Sequence, residues 1–102
     1  MKLATLDNLR SYVEQAICEQ ECLQPGAFPL EERLLRRGGR PCGLHFALRG
    51  PRSTYSTAIW DAARHAVLFY DSKGERFRTD ELRLPTYVMT ELERHATATA
   101  TA

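Results

Sequence analysis

The amino-acid sequence predicts a small α+β domain in which helices pack against an antiparallel sheet. An amphipathic helical pattern occupies the N-terminal part, apolar and polar residues alternate from Cys42, and turn residues separate the later β-rich segments. The chain has 102 residues, a common size for one domain. We therefore predict a single domain over residues 1–95, followed by a disordered Ala/Thr tail over residues 96–102.

The first helix is predicted from the spacing of its apolar residues. At about 100° per residue, the apolar residues between Leu6 and Leu23 lie on one side, which predicts a helix over residues 6–23. Thr5 or Asp7 can cap its start, and a Pro-Gly pair at 25–26 ends it.

Two shorter helices are predicted from similar signals. Leu30, Leu34 and Leu35 follow a proline at helical spacing, so we expect a short second helix over residues 30–37 that stops at two glycines. Pro85 opens a short C-terminal helix over residues 85–95, with Val88 and Leu92 on one face.

The middle of the chain predicts a four-stranded antiparallel meander. The strands cover residues 42–49, 54–60 and 65–70, and a fourth begins at residue 76. Turn residues separate them, and Gly74 suits the last hairpin. A helix over residues 58–70 is the rival interpretation, but Trp60-Asp61 and the β-rich flanks argue against it.

The hairpin loops predict which side chains share a face of this sheet. A four-residue loop at 50–53 places Leu48 opposite Tyr55 and Leu44 opposite Ile59. One face then packs against the first helix and carries Leu44, Phe46, Leu48, Tyr55, Ile59, Leu68 and Tyr70. The opposite face carries His45, Arg49, Ala58, Trp60, Val67, Phe69 and Phe77. A change of register by one residue would exchange the two faces.

The predicted opposite face is too apolar to stay in contact with water. The C-terminal helix, a second subunit or a ligand could cover it, and that helix is short, so we expect a homodimer. The leading interpretation is a non-catalytic interaction module that uses this face for self-association or for a protein partner. Aromatic residues and arginine are typical of interface centres, so the predicted contact residues are Arg49, Trp60, Phe69, Arg76 and Phe77.

A dense run of arginines supports an alternative function. Residues 33–52 contain six arginines and no acidic residue, although the whole chain has a net charge of only +1. Arginine binds phosphate through paired hydrogen bonds, so the alternative is an RNA- or anion-binding module that uses Arg36, Arg37, Arg40 and Arg52. The nearly neutral total and the acidic first helix favour the interaction module, and we expect any RNA binding to be weak and sequence-independent.

The cysteines raise the question of a metal site. Cys18, Cys22, Cys42 and His45 loosely match a Cys₃His zinc set. Cys42 and His45 stand three residues apart in a predicted strand, however, which places them on opposite faces. We therefore expect no bound metal and no cofactor, and interpret the cysteines as small apolar side chains.

Catalytic and targeting signals are missing from the sequence. The three histidines have no spaced carboxylate or nucleophile, and no hydrolase, nucleotide-binding or metalloprotease motif occurs. The N-terminus does not resemble a secretory signal, and three cysteines are too few for a disulfide framework. We predict a cytoplasmic, non-enzymatic protein with no membrane partner.

Overall fold

The computed structural model describes residues 1–99, and the side chains of residues 1–94. The elements are α1 (Leu6–Glu21), β1 (Leu30–Arg37), β2 (Arg40–Arg49), β3 (Tyr55–Asp61), β4 (Ala66–Tyr70), β5 (Arg76–Glu81) and α2 (Thr86–Thr99). Every strand pairs antiparallel with its neighbour in sequence, so the sheet order is β1-β2-β3-β4-β5. The α+β class is confirmed, but the sheet has five strands and not four.

The fifth strand is β1, where the sequence predicted a short helix. Leu30 and Leu34 pair with leucines of β2 and face the same side of the sheet. Glu32 stands between them on that side, where its carboxylate accepts two hydrogen bonds from Arg10, at 2.6 and 3.0 Å. This inward-facing charge interrupts the apolar alternation of a strand, which is why the spacing of the leucines resembled that of a helix.

Helix α1 follows the predicted apolar stripe. The hydroxyl of Thr5 accepts a hydrogen bond from the backbone N–H of Asn8 at 3.1 Å and caps the helix. The helix ends slightly before the predicted boundary, because Cys22 adopts a left-handed conformation with φ 57°. The backbone N–H of Leu23 then bonds to the carbonyl of Cys18 at 2.8 Å and closes the helix end.

The register of β2 and β3 differs from the prediction by one residue. Arg49 pairs with Tyr55, so the connecting loop has five residues, 50–54, and not four. Within it, Arg52 and Ser53 adopt left-handed conformations with φ 57° and 66°. As a result Trp60 lies opposite Leu44, on the face that the prediction gave to the first helix.

The two helices cover the same face of the sheet, which we call the inner face. On β2, β3 and β4 the side chains of this face are fully or almost fully buried, and they pack against apolar residues of α1 and α2. They are Leu44, Phe46, Leu48, Ser56, Ala58, Trp60, Val67 and Phe69. Helix α2 adds Val88 and Leu92 to this core. The alternative in which the C-terminal helix covers the opposite face of the sheet is therefore wrong.

A glycine sets how closely β2 and β3 approach each other. Gly43 lies in β2 opposite Asp61, and a Cβ atom added there would stand 1.9 Å from the backbone oxygen of Trp60. Because a backbone carbonyl cannot move aside easily, only glycine fits this position without displacing β3.

The C-terminal helix is longer than the sequence predicted. It continues through residues 96–99, the first part of the predicted disordered tail, since neither glycine nor proline interrupts the Ala/Thr repeat. The rest of that predicted tail, residues 100–102, lies outside the described residues. Neither helix, as far as the structure describes it, combines the length and hydropathy needed to cross a lipid bilayer.

The position of Trp60 gives a stability prediction. Its side chain is 3% exposed, so Trp60→Ala should lower the free energy of unfolding by about 3–5 kcal/mol. Trp60→Phe should cost less, because it fills most of the space and removes an indole N–H with no hydrogen-bond partner among the described residues. Urea unfolding followed by circular dichroism measures both, and a loss below about 1 kcal/mol for Trp60→Ala would contradict a core position.

Candidate functional site

The predicted contact residues do not form one surface. Trp60 and Phe69 are buried in the core, and the ring of Phe77 packs against that of Phe69 with centroids 5.9 Å apart. Only Arg49 and Arg76 are exposed. The predicted surface position of Trp60 and Phe69 was wrong, because the five-residue loop at 50–54 turns β3 over relative to the predicted register. Phe77 is partly buried.

The uncovered side of the sheet, which we call the outer face, carries a different set of residues. No described helix packs against it, and its central side chains remain half-buried by their neighbours in the sheet. They are His45, Tyr55, Thr57, Ile59, Ala66, Leu68 and Tyr70, with Ala47 buried among them. The outer face is therefore mixed, with a central apolar pair formed by Ile59 opposite Leu68.

The end of the outer face near Arg49 is an organised polar rim. The Arg49 guanidinium lies 4.6 Å from the centre of the Tyr55 ring and bonds to the Glu31 carboxylate at 3.1 Å. Together with Arg33 and His45, these side chains surround the small Ala47 and leave a depression of about 310 Å³. A cation–π contact and an exposed ion pair each contribute little to stability, so the rim orients side chains more than it stabilises the fold.

The histidine of the outer face has a perturbed pKa. Burial, and secondly the charge of Arg33, lower the pKa of His45 below its ordinary value of 6.5. Arg33 of β1 and Ile59 of β3 are its cross-strand neighbours. His45 is therefore held neutral near pH 7, and protonation would place a second positive charge beside Arg33.

The two edges of the sheet differ in how they are protected. Strand β1 is eight residues long and has a regular backbone. The one irregularity in its pairing with β2 is a bulge on β2, where Cys42 has no partner residue in β1. Strand β5 contains a bulge at Phe77, and just beyond it Arg83 forms backbone hydrogen bonds with Met1 and Leu3, both at 2.9 Å. The β1 edge thus leaves a long row of backbone donors and acceptors open, whereas the β5 edge is distorted by the bulge at Phe77.

The arginines proposed to bind nucleic acid occupy two ends of the molecule. Arg37 and Arg40 flank a two-residue turn at Gly38 and Gly39, where φ is 59° and 79°, and Arg36 precedes them. Arg52 lies in the loop beyond the other end of β2, about 30 Å away along the strand. All four are exposed, but the structure groups only three of them.

The residues of the candidate zinc set are separated. Cys18 is buried in α1 and Cys22 is exposed at the end of that helix, whereas Cys42 and His45 belong to β2. Within the described part of the chain, no group of three or more His, Cys, Asp or Glu side chains could hold a metal ion. Burial raises the pKa of the Cys18 thiol, as does the nearby Glu14 charge, which favours the uncharged form.

Sequence reasoning missed a polar cluster between α1 and β5. The Tyr12 hydroxyl donates a hydrogen bond to the Asp80 carboxylate, which also bonds to the Arg78 guanidinium at 2.7 Å. Burial opposes ionisation of Asp80, but its bonds to Arg78 and Tyr12 outweigh this and lower the pKa of Asp80. Tyr12 and Asp80 are 68 residues apart, so no local sequence signal could have found the cluster, which fastens α1 across the bulged strand.

A cleft of about 490 Å³ lies between the N-terminal ends of α1 and α2. Leucines form its floor, and Tyr87 and Glu91 of α2 and Asp7 of α1 line its rim. The Arg10–Glu32 pair forms one wall and joins α1 to β1, and hydrogen bonding to Glu32 raises the pKa of Arg10. The cleft therefore marks where the helices meet β1.

Comparisons with known proteins found no match: no family model fits the chain, and no curated protein or solved structure is similar to it.

The environment of His45 predicts a pH dependence of stability. Because its folded-state pKa is lowered, His45 stabilises the fold fully above about pH 6.5, and this contribution is lost as the pH falls through the folded-state value. His45→Gln should remove that part of the pH dependence. Urea unfolding of both proteins near pH 7.5 and pH 5 measures it. If wild type and His45→Gln differ in free energy of unfolding by the same amount at both pH values, His45 titrates normally.

Proposed function

We propose that this protein is a non-catalytic interaction module whose partner is a second copy of the same chain. The observation that carries the proposal is the unequal protection of the sheet. Both helices cover the inner face, which leaves the outer face and the long, regular β1 edge uncovered. Unpaired edges of this length are templates for another strand.

The non-catalytic part of the proposal is supported by the sequence and by the core. The chain contains no recognised catalytic motif. The aromatic residues that could have lined a reactive pocket, Trp60 and Phe69, are used in packing. The polar clusters at Arg10 and Arg78 join elements to one another, which is a structural role.

Self-association predicts a mass that depends on concentration. The chain has a mass of 11.6 kDa, and the average mass of the wild-type protein should rise toward about twice this value as concentration increases. Sedimentation equilibrium over a series of concentrations measures it. A mass that stays at that of one chain up to about millimolar concentration would refute the proposal, since weaker pairing lies below the usual affinity range.

The arginine-rich hairpin supports a second candidate function, the binding of RNA phosphates. The tight glycine turn holds Arg37 and Arg40 next to each other at the tip of β1 and β2. Within residues 1–94, no ion pair occupies either side chain. Exposed arginines bind phosphates through paired hydrogen bonds, but the nearly neutral net charge makes this the lesser candidate.

Charge reversal at the hairpin tip tests this second candidate. Arg37→Glu combined with Arg40→Glu should abolish any binding to a single-stranded RNA probe, and wild-type binding should be micromolar at best and weaken steeply with salt. Arg52→Glu combined with Arg76→Glu is the matched control, because it makes the same charge change at the other end of the sheet. Fluorescence anisotropy measures the affinities, and equal loss in both variants would mean that the hairpin has no special role.

A further inference from the structure

The charges along β1 have an order that becomes meaningful once this segment is a strand. Acidic residues stand two and three positions before Leu34, at Glu32 and Glu31. Basic residues stand two and three positions after it, at Arg36 and Arg37. The strand is thus nearly antisymmetric in charge about Leu34, and an antiparallel copy of it would place opposite charges side by side.

The alternation of a strand decides which pairs can form. A two-fold axis perpendicular to the sheet keeps the helices of both copies on one side, so only residues of the same face can stand opposite each other. With the axis at Leu34, Glu31 faces Arg37 of the second copy on the outer face, and Glu32 faces Arg36 on the inner face. Symmetry repeats each pair, and Leu34 meets Leu34 at the axis.

Neighbouring registers are less favourable. An axis at Arg33 would set that arginine against its own copy, and an axis at Leu35 would set Arg33 against Arg37. Like charges directly opposite each other destabilise a sheet, whereas opposite charges stabilise it. The charge order therefore selects one register among those that keep most of the strand paired.

We infer that the β1 edge is the self-association site, and that two copies pair antiparallel about Leu34 into one ten-stranded sheet. This inference rests on the proposed self-association and names its surface. Glu31 is compatible with it, because its bond to Arg49 is an exposed one, with both side chains more than half exposed, and a carboxylate can accept further donors. A sheet of ten strands is near the upper limit for open twisted sheets.

A charge-exchange experiment tests the site. In the dimer, residue 31 of each copy stands opposite residue 37 of the other on the outer face. Glu31→Arg makes both residues of this pair basic, and Arg37→Glu makes both acidic. Each variant alone should therefore self-associate at least about ten-fold more weakly than wild type. An equimolar mixture should restore wild-type affinity, because every outer pair in the heterodimer then joins opposite charges. Sedimentation velocity of each variant and of the mixture measures this, with one variant labelled.

Two control variants separate this site from other surfaces. Glu81→Arg makes the same charge change on β5, and Leu68→Arg places a charge on the outer face; both should associate like wild type. If the mixture is not restored, or if Glu31→Arg and Arg37→Glu associate normally, the β1 assignment is wrong. If only Leu68→Arg loses association, the β1 assignment is also wrong. The protein then self-associates as proposed, but through its outer face. A wild-type protein that stays monomeric would overturn both.

Discussion

The pairing register of β2 with β3 is the constraint on which the rest of this structure depends. The five-residue loop sets it, with the N–H of Gly50 bonded to the carbonyl of Thr54 at 2.9 Å and two left-handed residues between them. This register places Trp60 beside Leu44 under the helices and aligns Ser56, which is buried, with the carboxylate of Glu21 at 2.7 Å. A change of one residue would turn Trp60 away from Leu44 and toward the outer face, so the helices would lose a large part of the surface on which they pack.

The sequence was sufficient for features that depend on local patterns. The first helix, its Thr5 cap and the β-rich middle of the chain follow from periodicity and turn residues. The register did not follow, because Arg52 and Ser53 take left-handed conformations that glycine or asparagine usually signals. The β1 strand was also missed, since Glu32 faces inward and its partner Arg10 is 22 residues away. In both cases a distant or unusual contact overrode the local preference.

The candidate site follows the same division. The sequence placed Arg49 on the surface, where the structure has it, but it also placed Trp60 and Phe69 on a surface because their assignment to a face depended on the register. The charge order along β1 is visible in the sequence itself. On a helix this charge order would predict no pairing, because residues six apart, such as Glu31 and Arg37, do not lie side by side. Its relevance appears only when the strand, its edge position and its regular backbone are known.

The contrast between the two sheet edges limits how large an assembly can become. A sheet with two open edges is divalent for strand addition, and copies can join without end, as in amyloid fibrils. Here the bulge at Phe77 distorts the β5 edge, and Arg83, two residues beyond the strand, already bonds to Met1 and Leu3. Under the proposed pairing, the molecule would then be monovalent, because a third copy would meet the bulged β5 edge and not a second regular one. If copies add strands as we propose, growth by this route would stop at two, and the unequal edges of the fold would set the stoichiometry.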